Sequence, residues 1–477
     1  PVSANELVAC EHLSQRDFGC VWHHHPELEI FFLLRGGTER WIGDKMAPLK
    51  AGEILLLGSG GREHALADAL ARENTTIDLV AGPGNPGIAQ LARVVSVDAS
   101  DPIEVAELAE REQVKLVVVG PEAPLAIGLV DHLQHLGVPV FGPTMGAAKV
   151  ETSKADTKAL MMAAGIPTAR AETHKKSADA KEAVRTRFGV PVVIKASGLA
   201  AGKGVIICHT LKEADAAIER VLEDKAFGDA GSECLVEAFM TGEELSLFAV
   251  TDGYNVMPMI GAQDHKRLLD GDEGPNTGGM GAYTPVSFST PALVDDVTDR
   301  IFLPTLHALR KRGTPFTGLL YAGLMLTEEG PKVVEFNCRF GDPETQAILP
   351  MLTSSLLDPM MTVAHGGRIG SLSPFTWREG ASVTTVVASQ GYPDAPITGQ
   401  HITLPSFSDD LRVYHAGTSR ADDGALRTSG GRVFAVTAMA DTFADAQEAS
   451  RAAASRIEFE GAIYRGDIGW REAARLA

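Results

Sequence analysis

In the run PKVVEFNCRFGDPETQ (331 to 346), Glu335 and Asn337 stand two residues apart on a stretch bounded by Pro331 and Gly341. Val333, Val334 and Phe336 alternate there with polar or charged residues, the pattern of a strand leading into a loop. Side chains two apart on a strand share a face, so a carboxylate and an amide oxygen point the same way. With Arg339, Asp342 and Glu344 in the loop beyond, they form a hard-oxygen site suited to Mg²⁺ carrying a phosphate. The plainer alternative is a strand end followed by a solvated charged turn.

A second cluster lies in VPVVIKASGLAAGKGVIIC (190 to 208), two apolar runs around a glycine-rich loop. From Gly198 only three residues precede Gly202, and Lys203 is followed by Gly204 rather than Ser or Thr, so this is not a Walker A loop. The second run is β-type, which predicts a hairpin carrying a glycine flap. Lys195, on the strand before the flap, is a cation that burial makes costly unless an anion such as phosphate accompanies it. The alternative is a lysine snorkelling to water. DHKR (264 to 267) precedes GDEGPNTGGMGAYTP (271 to 285), whose five glycines suit a backbone cradle for an anion.

The elements that must position these groups follow from apolar patterning. ILLL (54 to 57) reads as a buried parallel strand, Gly58, Gly60 and Gly61 as a tight turn, and the next residues as a helix whose N-terminus can hold a phosphate. Glu63 stands where a dinucleotide fingerprint would have its third glycine, and the strand IDLVAG (77 to 82) lacks the acidic residue that would hold a ribose. The turn is therefore a monophosphate loop. Asp101, Pro102 and Glu104 open a capped helix, and VKLVVVG (114 to 120) is another buried strand. TSKADTKALMMAAGIP (152 to 167) is a helix closed by Gly165 and Pro167, with Lys154 near its start. ECLVEAFMTGEELSLFAV (233 to 250) gives two strands with Glu237 and Glu244 at its ends, and Phe239 and Met240 between them can cover a ring. The pattern is helical from Pro291 to Arg312. Short strands at 382 to 389 and 431 to 439 and an Ala-rich helix at 441 to 456 close the chain with nothing that reads as catalytic.

The 477 residues allow two to four domains, and Lys plus Arg (43) against Asp plus Glu (62) leave a formal charge of −19. That balance disfavours sequence-independent binding to nucleic acid or to an anionic membrane. Five scattered cysteines without a C-x-x-C pair argue for a reducing compartment. With no membrane-length apolar run and a polar start unlike a signal peptide, a cytoplasmic location is expected. Residues 1 to 52 stand apart. His23, His25, Glu29 and Gly36 fit the first metal motif of cupin barrels, and the stretch resembles the sensor half of a sugar-responsive regulator. The remaining strands and the second histidine motif of such a barrel do not follow, so a β-rich fragment or extension is expected there.

The four motifs GSGGREHA (58 to 65), GAQDHKR (261 to 267), NTGGMGAYTP (276 to 285) and EFNCRFGDPETQ (335 to 346) occur in an order that resembles the phosphoribosylamine–glycine ligase (glycinamide ribonucleotide synthetase) family of the ATP-grasp superfamily, from about Glu53 onward. The resemblance implies an α/β fold: a doubly wound N-terminal unit over 53–152, an ATP-grasp domain over 153–375 with a lid at about 170–240, and a small α+β domain over 376–477. It implies ATP and Mg²⁺ or Mn²⁺ as cofactors, glycine and 5-phosphoribosylamine as small-molecule partners, and a monomer or dimer. ATP would meet Lys154, Lys195, Gly202, Lys203, Gly204, Glu237, Phe239 and Glu244, with Glu237 at the adenine amino group and Glu244 at the ribose. Phosphoribosylamine and glycine would meet Gly60, Gly61, Arg62, Glu63, Asp264, Lys266 and Arg339, with Asp264 taking the glycine ammonium and Arg339 the acyl phosphate. Glu335 and Asn337 would hold the metal, and Lys195, Arg339 and Asp264 would be catalytic. Three other readings remain at this point: a different ATP-grasp carboxylate–amine ligase, a nicotinamide-dependent oxidoreductase, and a non-catalytic sensor built on the first 52 residues.

Overall fold

The computed structural model describes residues 54–477 other than 74–77, 200–203, 225 and 409, preceded by the strand pairs His24–His25 with Leu28–Glu29 and Trp41–Ile42 with Lys45–Met46. The cupin-like residues His23 and Gly36, and Gly202 and Lys203 of the flap, lie outside the described residues.

The chain opens with a five-stranded parallel sheet ordered Arg93–Val94, Leu79–Pro83, Ile54–Gly58, Leu116–Val119 and Val140–Phe141. Its central strands are buried along their whole length, because helices cover both faces. Connections run to one side of Ile54–Gly58 and then to the other, so the sheet has its topological switch between the loops after Gly58 and after Val119. Asp101 caps the helix Pro102–Arg111, accepting from the amides of Ile103 and Glu104.

Helix Lys154–Ala164, capped by Ser153 and ended by Gly165 at φ 67°, leads into an antiparallel sheet ordered Ala171–His174, Cys234–Ala238, Val192–Ala196 and Val205–Cys208. The hairpin expected around the flap is present, with Lys195 opposite Val205. Helices Ser177–Ala183 and Leu211–Leu222 pack on this sheet, and Ile194, Val236, Ala214 and Ile218 give the lid its own apolar core.

A second antiparallel sheet, Val256–Pro258, Glu243–Thr251, Gly318–Thr327 and Gly330–Asn337, forms the floor. Register slips where Gly323 faces Glu335 but Leu324 faces Val333, so Val334 is bulged out of the ladder. The bulge resolves what simple alternation leaves contradictory. Val333 and Phe336, three residues apart, both enter the main core, while Glu335 and Asn337 turn to the other face. The helical stretch from Pro291 to Lys311 contains a π turn, Thr298–Phe302, just before Pro304. The missing amide of that proline is accommodated by the widened turn.

The last sheet does not respect the boundary expected at 375. Its order is Gln263–Asp264, Gly281–Thr284, Ala381–Ala388, Arg432–Ala440 and Leu411–His415, so two of its five strands come from the DHKR and NTGGMGAYTP segments. Helix Phe443–Ala454 covers it. Among the described residues no helix is long and apolar enough to cross a membrane.

Candidate active site

The lid, the floor sheet, the switch loops and the C-terminal sheet enclose a cavity of about 1110 Å³, and the described singled-out residues line it, Gly60, Gly61 and Glu63 excepted. Glu335 and Asn337 line it from the floor. Burial alone would raise the Glu335 carboxyl, but Lys266, Lys154, Lys195 and Arg339 outweigh it and hold the group below its usual range. An ionised carboxylate beside an amide oxygen fits a divalent cation that keeps waters and phosphate oxygens as its remaining ligands. Among the described residues no cluster of three or more His, Cys, Asp or Glu side chains could hold a metal ion by itself.

The cations divide into two kinds. Lys195, 4% exposed, donates to Glu237 Oε1 at 2.9 Å and to the Val334 carbonyl at 3.1 Å. Lys158, which sequence reading missed, stands 3.0 Å from Glu237 Oε2. Glu237 thereby neutralises two buried lysines and fixes Lys195 beneath the flap, while its Oε2, which accepts no hydrogen bond from the described residues, keeps capacity for the expected adenine amino group. Lys154 is the other kind. Among the described residues its Nζ meets the Gly198 carbonyl at 3.2 Å and no carboxylate within ion-pair distance, while its backbone amide donates to Ser197 O at 2.7 Å. Burial lowers its pKa. A half-buried lysine with no ion-pair partner among the described residues, at the foot of a glycine flap, is poised for an anionic ligand.

Gly204, Phe239 and Met240 line the lid side of the cavity. Glu244 pairs with Lys266 at 3.0 Å on the rim. Asp264 lies between them and the floor, and burial, with Glu344, Glu244 and Glu335 nearby, pushes its carboxyl up to about 7 against the opposing pull of Lys266. Sequence reading also missed a hydrogen-bonded set beneath it. Tyr321 donates to Glu344 Oε1 at 2.7 Å, Ser246 Oγ lies 3.1 Å from the same oxygen, and Ser246 and Tyr321 are 2.8 Å apart.

Arg339 is held more completely than its fork suggested. Nη2 meets Glu151 Oε1 at 2.9 Å, Nε meets Glu122 Oε2 at 3.2 Å, Nη1 donates to Phe340 O at 3.1 Å, and Nη2 approaches Asn337 Oδ1 at 3.5 Å. One Nη1 hydrogen is left, so Arg339 offers a ligand a single donor rather than a paired grip. Glu151 also accepts from the amide of Cys338 at 2.8 Å, tying the end of the metal strand to the helix Met145–Thr152.

At the phosphate loop, Arg62 lines the cavity and Gly61 begins the helix Gly61–Glu73. Glu63, expected to contact substrate, turns inward. Its Oε2 accepts from Gly60 N at 2.7 Å, its Oε1 from Arg62 Nε at 2.6 Å, and a Cβ on Gly58 or Gly120 would lie 2.5 or 2.3 Å from its atoms. The Glu63 side chain thus fills the switch crevice where a dinucleotide's pyrophosphate would sit, which removes the oxidoreductase reading. Gly61 is packed against Gln346, whose amide nitrogen a Cβ there would meet at 2.6 Å. The C-terminal segment, in which nothing reads as catalytic from sequence, contributes Arg432 from its sheet and Tyr392 from the turn after Ala388. Arg432 donates to the carbonyls of Gly278 and Asp342, both at 2.7 Å, and Tyr392 OH accepts from Gly278 N at 2.9 Å.

Residues 52–151, 152–345 and 382–471 match, respectively, the N domain, ATP-grasp (A) domain and C domain of phosphoribosylglycinamide synthetase. The chain is 48% identical over 425 residues to the phosphoribosylamine–glycine ligase of Ralstonia nicotianae, an alignment covering 89% of this chain and all of that protein. Among solved structures it resembles the phosphoribosylamine–glycine ligase of Thermotoga maritima, with a TM-score of 0.77 and 33% identity over 87% of this chain and all of the other. The biotin carboxylase domain of Hydrogenobacter thermophilus 2-oxoglutarate carboxylase shares the fold alone, at 18% identity and a TM-score of 0.67, covering 87% of this chain and 92% of that one.

Proposed function

The chain belongs to the phosphoribosylglycinamide synthetase family, and from that premise we propose how its residues divide the work of the ligation. The activity is the ADP-forming, ATP-dependent joining of glycine to phosphoribosylamine in purine biosynthesis. A carboxylate is a poor electrophile, so our reading has a glycine carboxylate oxygen attack the γ-phosphorus of ATP, releasing ADP and leaving glycyl phosphate. The phosphoribosylamine nitrogen then displaces phosphate to give glycinamide ribonucleotide. Lys154 and Lys195 face the phosphates and stabilise the charge developing on the transferred oxygens. A divalent cation held by Glu335 and Asn337, Mg²⁺ in this reading, supplies further neutralisation there. Asp264 takes the glycine ammonium, and Arg339 gives its remaining N–H to the acyl phosphate while orienting Asn337. Gly61 and Arg62 receive the sugar phosphate, beside Gly60 whose amide Glu63 holds, and Lys266 keeps Glu244 at the ribose edge. Closure of the lid excludes water from an acyl phosphate that would otherwise hydrolyse. The reading fits a cytoplasmic protein, in keeping with the free buried thiols of Cys208, Cys234 and Cys338.

The observation that carries this assignment is the convergence on one cavity of Lys154, which has no ion-pair partner among the described residues, the Glu335/Asn337 face and Asp264. It is tested by phosphate release from ATP with glycine and freshly generated phosphoribosylamine supplied singly and together. Release that needs both supports the ligase; release indifferent to either points to another specificity.

Two expectations follow. Because Asp264 is raised to about 7, it is neutral below that pH and cannot pair with an ammonium. Glycine binding should therefore weaken about tenfold between pH 8 and pH 6, as read from KM for glycine across buffers, and Asp264→Asn should abolish the dependence. A flat profile in the intact enzyme would remove Asp264 from the ammonium role. Separately, residues 1–51 precede the family match. Deleting 1–52 should leave turnover at or above its original value, and loss of folding on deletion would refute this.

A further inference from the structure

We propose that Glu122 receives the amine of phosphoribosylamine and accepts the proton this amine releases as the C–N bond forms, an assignment that rests on the ligase reading above. In a doubly wound sheet, ligands collect outside the strand ends at the switch point. Here the two switch loops are Gly58 to Arg62 and Gly120 to Glu122, with Glu122 opening the short helix Glu122–Ala126. Since the Glu63 side chain fills the crevice itself, a ligand at this position is displaced outward, onto Arg62 and Glu122 at the cavity wall.

Of the carboxylates near this wall, Glu122 has capacity to spare. Glu63 is spent on Gly60 and Arg62, Glu151 on Cys338 and Arg339, and Asp342 on Gln346 and Arg432, whereas Glu344 gives one oxygen, Oε1, to both Tyr321 and Ser246 and is tied by them to the floor sheet rather than to the switch loops. Glu122 gives Oε2 to Arg339 Nε at 3.2 Å, and among the described residues its Oε1 meets no other side chain. Its side chain is 32% exposed in the cavity. It therefore stands between Arg62, on the sugar-phosphate side, and Arg339, which reaches Asn337 on the metal strand. Burial would raise its carboxyl, but Arg339 and Arg62 prevail and keep it ionised, as an acceptor of N–H must be.

The chemistry balances without a further reactant. The amine lone pair attacks the carbonyl carbon of glycyl phosphate, the C–O bond to phosphate breaks, and phosphate leaves with the electron pair. The proton lost by nitrogen passes to Glu122 and then to water.

Hydroxylamine separates this role from a merely structural one, because it traps glycyl phosphate as glycyl hydroxamate without phosphoribosylamine. In Glu122→Gln, kcat/KM for phosphoribosylamine should fall at least about thirtyfold, within the range for loss of a proton acceptor. Hydroxamate formation from ATP and glycine should fall far less, and Glu122→Asp should recover part of the ligation. The hydroxamate yield also reports that each variant is folded. Ligation and hydroxamate formation falling together would mean that Glu122 acts only by fixing Arg339, and unchanged ligation would mean it does not act at all; either overturns the proposal. A wild-type protein that made neither product would instead sink the ligase reading, and the proposal with it.

Discussion

Replacing Glu237 with alanine is expected to cost about 3–5 kcal/mol of stability, because it strands Lys158 and Lys195 in the interior without a counter-charge. Lys158 and Glu237 side chains are 5% and 2% exposed, and Lys195 is 4% exposed, so water cannot replace the lost carboxylate. Lys158 already has its pKa lowered by burial, with Lys195 adding to the effect and Glu237 opposing it. Without Glu237 burial drives Lys158 further toward the neutral form, and the lid sheet loses the link between its strands Val192–Ala196 and Cys234–Ala238 and helix Lys154–Ala164. The change would be read as a lower urea midpoint and faster amide exchange in those two strands, together with weaker ATP binding. Unchanged exchange in both strands would show that the triad is not what fixes Lys195.

The second large effect is on catalysis. Glu335→Ala should lower kcat/KM by about three orders of magnitude, roughly 4 kcal/mol of transition-state stabilisation, in line with the loss of a principal electrostatic group at a phosphoryl-transfer site. Two losses combine: the proposed cation ligand disappears, and Lys266, Lys154, Lys195 and Arg339 are left with less opposing charge. Steady-state ligation and titration of the free enzyme with Mn²⁺ and ATP by electron paramagnetic resonance would check both. Activity within tenfold of the parent would mean that the cation is held elsewhere.

What could be read from the chain was whatever neighbours in sequence decide. The hairpin around the flap, the capped helices, the parallel strands and the shared face of Glu335 and Asn337 all follow from periods of two or 3.6 and from glycine and proline punctuation. The partners that give those residues their working state are distant. Glu122 reaches Arg339 across 217 positions and Glu151 reaches Cys338 across 187, and no local pattern announces either. Lys158 drew no notice in the helix, since only the folded lid brings Glu237 to it. Glu63 misled for a related reason. A carboxylate beside a phosphate loop looks like a ligand contact until Gly58 and Gly120, 62 residues apart, are seen to leave the hole it fills. The bulge at Val334 was hidden because an unpaired residue is a property of two strands, not one.

The sheet that spans the expected 375/376 boundary bears on how such enzymes can be recombined. Backbone hydrogen bonds join Gly281–Thr284 to Ala381–Ala388, and a Cβ at Gly281 would lie 2.6 Å from the Thr384 carbonyl, so the two segments are matched atom for atom. A chimera that exchanged only the part after 375 between relatives would splice a foreign ladder onto resident strands. The pairing makes the C-terminal segment together with the strip from 263 to 284 the set to exchange as one. Gene shuffling that keeps these two stretches from one parent should give folded hybrids at crossovers where exchange of the tail alone does not.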